Sequence, residues 1–298
     1  IYEIGNEWNM RWKRPQKRLG PLTIGSRDEE FSPETYGAWA QAATQAIKET
    51  GTKAPVVIGA IGDDDGWVWT KQAIAAGMLR GADGISVHMY NHCNRMPDRT
   101  AENIVDRLIS FHQLAYTASG RDIPVYLTEY GWPSYPEACG VPYDRAAANV
   151  AQLILTAPSL PWLAGAWFYE LRDRGLNPKD LEDHFGLIER DGAAKPALCT
   201  FREAARLVRD LTDVRLSKPT ESVRWLTGRG ADGLPIWAIW ATGDETPTAT
   251  FSAPEGSRVE RMCADPSTPT DAAIRMMPLV IYPPTNAEPY PERVMLRK

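Results

Sequence analysis

Along the first 215 residues, short apolar runs alternate with segments whose apolar positions recur at helical spacing. Pro55 to Ile61 is one such run, bounded by turn residues, and it predicts a strand buried on both faces. Gly84 to Tyr90, Ile123 to Thr128 and Leu163 to Phe168 are further strand-like runs, as is the opening Tyr2-Glu3-Ile4-Gly5. Ser32-Pro33-Glu34 offers a cap, a proline suited to the first helical position and an acid that complements the dipole. A helix is therefore expected from there to about Glu49, stopped at Gly51. Further helices are expected over about 67–80, around Ile104, Leu108, Phe111 and Ala115, over about 143–155, and around Phe201, Ala205, Val208 and Leu211.

This alternation means βαβ units on a parallel sheet, and five of them fit within residues 1–215. A closed (β/α)8 TIM barrel needs eight units and typically about 250 residues, so three strands are lacking. From about Ser222 the pattern changes to strand-like runs such as Ile236 to Ala241, Thr248 to Phe251 and Leu279 to Tyr282, separated by Gly-, Pro- and Asp-rich turns. The expected fold class is α/β, part of a barrel followed by an antiparallel β-sandwich-like domain. The boundary is placed near Thr220, dividing residues 1–218 from 219–298.

With 43% hydrophobic and 24% charged residues, 298 residues can bury a sizeable core, which excludes disorder, collagen and coiled coil. A formal charge of -5, from 33 basic against 38 acidic residues, supplies no global field for nucleic acid or an acidic membrane. No apolar run approaches the roughly 20 residues of a membrane-spanning helix. Cys93, Cys139, Cys199 and Cys263 lie far apart without CxxC spacing, which speaks against a zinc site and leaves one or two bridges open.

Two acidic residues close predicted strands, the position from which barrel enzymes work. They are Glu7, in Asn6-Glu7-Trp8-Asn9, and Glu129, in Thr128-Glu129-Tyr130-Gly131-Trp132. Either alone reads as an exposed or capping carboxylate. Together, flanked by aromatics and each at the end of an apolar strand, they are the apparatus of glycoside hydrolysis. One carboxyl protonates the leaving oxygen while the other attacks the anomeric carbon or activates water.

Asn6-Glu7 after one strand and Thr128-Glu129-Tyr130-Gly131 three strands later resemble the acid/base and nucleophile motifs of the clan A retaining glycoside hydrolases, with families 39 and 5 nearest. Those barrels carry the two motifs on strands four and seven. The resemblance makes Tyr2 to Gly5 strand four and the runs near residues 56, 85, 124 and 164 strands five to eight. It implies that Glu7 is the acid/base, Glu129 the nucleophile, Asn6 the partner of the sugar 2-hydroxyl, Tyr90 a hydrogen-bond donor to the nucleophile and Trp167 the sugar platform. Asp183-His184-Phe185-Gly186-Leu187-Ile188 also resembles the segment before the last helix of such barrels, whereas Trp8 stands where these families usually carry proline. Strands one to three are then expected from a longer polypeptide or a partner half-barrel, since an exposed barrel edge invites association.

Strand parity puts Ser86, His88 and Tyr90 on one face, Val125, Leu127 and Glu129 on one face, and Gly165, Trp167 and Tyr169 on one face. Perfect alternation would send Asn6 and Glu7 to opposite faces unless the strand has ended or bulged. Trp8, Trp132 and Trp167 are the candidate platforms, and Trp39, Trp67, Trp225, Trp237 and Trp240 the candidate core tryptophans. His88 either positions the substrate or acid/base or is a satisfied histidine inside the barrel. Asp63-Asp64-Asp65-Gly66 lacks calcium-loop spacing and reads as a solvated turn that offers a helix cap. Arg11, Lys13, Arg14, Lys17 and Arg18 form either a solvated loop or a rim that receives an anionic polysaccharide. The expected activity is that of a retaining β-glycosidase on oligo- or polysaccharides, without metal or organic cofactor, nucleic acid or membrane insertion. The alternative is a non-catalytic carbohydrate-binding or structural protein, and a secreted or periplasmic setting is expected.

Overall fold

The apolar runs form strands and the periodic segments form helices. The computed structural model describes residues 1–12, 17–19, 22–24, 29–62, 64–135, 139–243, 250–264, 271–288 and 296–297. Strands β1 (Tyr2–Ile4), β2 (Lys17–Leu19) and β3 (Leu22–Ile24) precede α1 (Pro33–Glu49). Then β4 (Val56–Ile61), α2 (Val68–Ala75), β5 (Gly84–Met89), α3 (Ala101–Ser119), β6 (Val125–Tyr130), α4 (Tyr143–Thr156), β7 (Leu163–Phe168) and α5 (Pro196–Arg209) alternate. Strands β8 (Thr212–Thr220), β9 (Val223–Arg229), β10 (Pro235–Ala241), β11 (Thr250–Ser252), β12 (Arg258–Arg261), β13 (Asp271–Ala273), β14 (Leu279–Tyr282) and β15 (Leu296–Arg297) follow.

Local chemistry sets the helix ends. Ser32 Oγ accepts the Thr35 N–H at 3.1 Å and Pro33 opens α1. Asp64 Oδ2 accepts from both the Thr70 N–H (2.9 Å) and its hydroxyl (2.7 Å), so the acidic turn ties down the start of α2. Asp63 and the side chain of Asp65 lie outside the described residues. Helix α2 ends at Ala75, short of the expected Arg80, because Gly77 turns the chain at φ 89.

The chain divides into two compact units. The first comprises Ile1–Tyr90, Asp106–Tyr130 and Pro161–Phe168, and the second Asn91–Val105, Gly131–Leu160 and Tyr169–Lys298. In the first, five parallel strands pair in the order β1-β4-β5-β6-β7, the direction and sequence expected for barrel strands four to eight. All six residues of β4 and of β5 are buried. Tyr2 and Glu3 at one margin are exposed, as are Ala164 and Trp167 at the other. Trp39 departs from its expected core position: it lies at the margin of the buried face formed by Tyr36, Gly37, Ala40 and Thr44, and is 42% exposed. Trp67 is half-buried, edge-on to Phe111.

In the second unit an antiparallel sheet, β12-β14-β10-β9-β8, packs one face on the three-stranded sheet β13-β11-β15. Val223, Trp225, Trp237, Ile239, Phe251 and Ile281 fill the space between the sheets, and Trp225 lies 5.3 Å from Phe251. Leu226, Ala238, Trp240 and Val280 turn to the opposite face, where Ala151, Leu155 and Ala204 of α4 and α5 cover them. The expected division at residue 218 falls inside strand β8, which starts three residues after α5 ends. Disulfides Cys93–Cys139 and Cys199–Cys263 use all four cysteines.

A buried ion pair fastens the segment after β7 to the start of α5. Lys195 Nζ lies 2.8 Å from Asp173 Oδ1 and donates to the His184 carbonyl, with both side chains almost wholly out of solvent. The Gly186 N–H also donates to Asp173 Oδ1. Lys195→Met strands a buried carboxylate and is expected to cost about 3–5 kcal/mol of stability in denaturant unfolding. Adding Asp173→Asn should recover part of that loss; an undiminished loss would show that charge compensation is not what the pair supplies.

Candidate active site

The floor of the site is set by a bulge in β4. Gly59 (φ 135) and Ala60 (φ 42) depart from extended backbone, and the pairing of β4 with β5 slips between Ile58 and Ile61. A Cβ on Gly59 would lie 2.5 Å from the Ser86 carbonyl, so glycine is required there. The Ala60 N–H donates to Ser86 Oγ (2.7 Å), and the Ala60 carbonyl accepts the Glu7 N–H (2.8 Å). Upstream, the Tyr36 hydroxyl donates to the Ile4 carbonyl at 2.6 Å, where β1 ends. Gly5 (φ 105) and Glu7 (φ 50) then turn the chain, which removes the parity conflict between Asn6 and Glu7.

Beyond Glu7, Asn9 clamps the loop to the end of β4 through two hydrogen bonds. Its Nδ2 donates to the Gly62 carbonyl and its Oδ1 accepts the Gly62 N–H, both at 3.0 Å. A Cβ at Gly62 would stand 2.6 Å from Met10 Cγ and 3.2 Å from Glu7 Cδ. Glycine therefore leaves the room that the Glu7 carboxyl occupies.

On the next strands the register slips again, between Val87 and His88, and His88 comes opposite Glu129. His88, 2% exposed, directs Nδ1 at both carboxylates, 3.1 Å from Glu7 Oε1 and 3.5 Å from Glu129 Oε2. The Tyr90 hydroxyl donates to Glu129 Oε2 at 2.8 Å. Arg107, drawn below its ordinary guanidinium range by burial, donates to the Tyr90 carbonyl at 2.8 Å and so fixes the end of β5. Carboxylate oxygens of Glu7 and Glu129 lie within 4.8 Å of one another and of His88 Nδ1. Glu7 and Glu129 are each about one-third exposed, so a ligand can reach them.

The sequence profile of the family described as Cellulase (glycosyl hydrolase family 5) matches residues 1–167, more than half of the chain. The chain belongs to glycosyl hydrolase family 5. Among curated protein sequences none matches it. Solved structures share the fold of this family 5 chain. A family 39 glycoside hydrolase from the gut symbiont Bacteroides cellulosilyticus WH2 does so at 18% identity and a TM-score of 0.67, over 94% of this chain and 57% of that one. A family 5 subfamily 18 protein from Streptomyces cattleya, solved in complex with GlcNAc, gives 22% and 0.51 over 68% and 47%. A glucosidase from Croceicoccus marinus gives 17% and 0.56 over 84% and 51%. The family 5 chain thus spans about half the length of these proteins.

Of the sequence-derived site residues, Glu7, His88, Tyr90 and Glu129 come together. Asn6 is exposed next to Glu7. Trp167 is 45% exposed on β7, nearly parallel to Tyr126 with centroids 6.2 Å apart. Trp8 does not stand open as a platform: its ring stacks on Trp39 at 5.1 Å and meets Tyr36 and Phe31. Trp132 is a correction to the expected platform set, since it is 1% exposed inside the second unit and donates Nε1–H to Asn91 Oδ1 at 2.8 Å. Arg11 is exposed, with its guanidinium 5.5 Å from the Phe31 ring. Lys13 and Arg14 lie outside the described residues, as do the side chains of Lys17 and Arg18. From sequence, Ser86 has a strand face but no role, and Asn9 and Gly62 have none; Ser86 and Asn9 position the segment around Glu7, and Gly62 leaves it room, only through contacts made by the folded chain. The glycine at the end of a buried strand was the available signal.

In the second unit, the segment that follows β7 carries a further titrating carboxyl. Burial first, then the charges of Asp173 and Glu182, push Glu170 up to about 7. Arg174 Nε is 3.4 Å from its Oε2, while Oε1 is buried without a hydrogen-bond partner among the described residues. A raised carboxyl favours the protonated fold, so the unfolded chain holds fewer protons than the native one between the ordinary range and about 7. Stability from this group is present in acid and is lost as pH climbs from about 4.5 to about 7. Glu170→Gln should flatten the fall in melting temperature over that window; a variant with an unchanged slope would assign the dependence elsewhere.

Proposed function

We propose that this chain carries the catalytic pair of a retaining β-glycosidase acting on oligo- or polysaccharides. The observation that carries the reading is the approach of the Glu7 and Glu129 carboxylates to within 4.8 Å, with His88 between them. Retaining enzymes hold their two carboxyl groups roughly 5–5.5 Å apart, whereas inverting ones leave about 6.5–9.5 Å for a water. Protonated Glu7 donates to the glycosidic oxygen while Glu129 attacks the anomeric carbon, and the leaving sugar departs with the proton. Glu7, now ionised, then takes a proton from the water that resolves the glycosyl-enzyme.

The Tyr90 hydroxyl, 2.8 Å from Glu129 Oε2, orients the attacking carboxylate. Asn6 is assigned to the sugar 2-hydroxyl and exposed Trp167 to the ring's apolar face. The same three donor atoms have the closeness of a cation's ligands; the tyrosine donation to Glu129 favours nucleophile chemistry. The exposed margins at Tyr2, Glu3 and Trp167 fit a sheet completed by further barrel strands, from the same polypeptide or a partner. The two disulfides suit an oxidising, extracytoplasmic setting.

Glu129→Gln is expected to abolish turnover of an aryl β-glycoside with glycan binding intact, and Glu7→Gln to lower turnover of natural linkages by roughly 10²–10⁴-fold. Proton NMR of the first-formed product should show the substrate's own anomeric configuration, and an inverted product would overturn the reading. Gly62→Ala, which crowds Glu7, should cost up to about 10²-fold in kcat through misplacement alone; full activity in a folded variant would remove Gly62 from the account.

A further inference from the structure

Helix α5 packs on the five-stranded sheet through Ala204 but leaves a cleft of about 610 Å³ between its outer turns and strands β10, β12 and β14. The cleft is lined wholly by residues of the second unit. Leu207 and Ile236 contribute apolar surface. Glu203, Arg206 and Asp210 repeat at helical spacing along one side, and Glu260 and Tyr282 come from the sheet. A second cleft of about 490 Å³ shares Glu203 and Arg206 and adjoins the first at the Cys199–Cys263 bridge.

The walls are held before any ligand arrives. The disulfide ties α5 to the turn after β12, and the Cys263 N–H donates to Glu203 Oε2 at 2.9 Å. The Arg258 guanidinium lies 3.9 Å from the Tyr282 ring and pairs with Glu260. Preformed walls reduce the ordering cost of binding, and both volumes fall in the range of ligand sites, roughly 300–1,000 Å³.

The lining selects a class of ligand. Carboxylates accept from hydroxyl groups, the exposed Arg206 donates to ring or hydroxyl oxygens, and the apolar and tyrosine surfaces suit the C–H faces of a sugar. Across the two clefts Glu203, Asp210, Asp232 and Glu260 stand against Lys195, Arg202, Arg206 and Arg261; Asp210 is paired with Arg209 and Glu260 with Arg258, and Arg261 is committed to the Met277 and Ala273 carbonyls. This balance leaves no net charge to draw a polyanion, which suits an uncharged chain. The lining runs from Lys195 to Asp210, about 22 Å along the helix, long enough for a chain rather than a single ring. We propose that this double cleft is a second glycan site, which holds an uncharged oligosaccharide segment of the polymer independently of the Glu7–Glu129 pair. The choice of a sugar rests on the glycosidase reading above.

Affinity electrophoresis of the full chain carrying Glu129→Gln, in gels containing laminarin, glucomannan, hydroxyethyl cellulose or alginate, tests it. Retardation is expected in at least one neutral gel and not in alginate. Arg206→Ala and Tyr282→Ala, each added to Glu129→Gln, should weaken that retardation at least tenfold in apparent Kd, with Asp210→Ala as a further variant at an exposed position. Placed in the parent chain, the same substitutions should leave aryl-glycoside turnover within twofold. Retardation in no neutral gel, or equal retardation of all the variants, overturns the second site. Failure of the glycosidase reading looks different, because Glu129→Gln would then leave turnover unchanged whatever the gels show.

Discussion

Parallel pairing is the constraint on which the first unit rests. Five strands that run the same way bring their carboxyl-terminal ends to one edge of the sheet, and residues as distant in sequence as Glu7 and Glu129 meet there. Direction alone is not sufficient, however. The side chains converge because the ladder slips twice, once at Gly59–Ala60 and once between Val87 and His88. The first slip presents the Ala60 carbonyl to the Glu7 N–H, and the second brings His88 opposite Glu129. Each bulge gives up regular pairing and re-aims a side chain.

The imidazole of His88 then links the two carboxylates. With its Nδ1 shared between Glu7 and Glu129 and its ring out of solvent, a change at either acid is felt by the other through one buried group. Tyr90 and Arg107 extend the chain of contacts: the hydroxyl holds Glu129, and the guanidinium holds the Tyr90 carbonyl. The site is therefore rigid where it meets the sheet and open where the carboxyls face outward, the combination that positioned acid–base chemistry requires.

The second unit solves a different problem. Its five-stranded sheet is apolar on both faces, so it needs cover twice, from the small sheet on one side and from α4 and α5 on the other. Small residues on the helices, Ala151 and Ala204 among them, let Trp240 and Leu226 lie beneath. The buried Lys195–Asp173 pair and the two disulfides then cross-link segments of this unit that are distant in sequence.

Much of the fold was legible because periodicity reports burial directly. The continuous apolar run at 56–61 is a strand buried on both faces, the strand-like run at 84–89 is buried as well, and Ser32-Pro33 does start a helix. The tryptophans were less legible, since hydrophobicity does not say which neighbour a ring will meet. Trp39 projects from the edge of its helix face, Trp8 stacks upon it, and Trp132 is enclosed with its indole N–H bonded to Asn91. Strand β8 spans the expected limit near residue 218, and its burial alternates only partly, without a clear apolar run to mark it in the sequence.

By itself, the sequence determined the alternation of strand and helix, the change to antiparallel structure and the location of two carboxylates at strand ends, because each of these is encoded in residues near one another along the chain. Only the tertiary structure decided that His88 would stand between those carboxylates, that Gly62 would leave space for one of them, and which cysteines would pair. Those outcomes depend on register slips and on contacts between segments tens of residues apart, which no local pattern specifies.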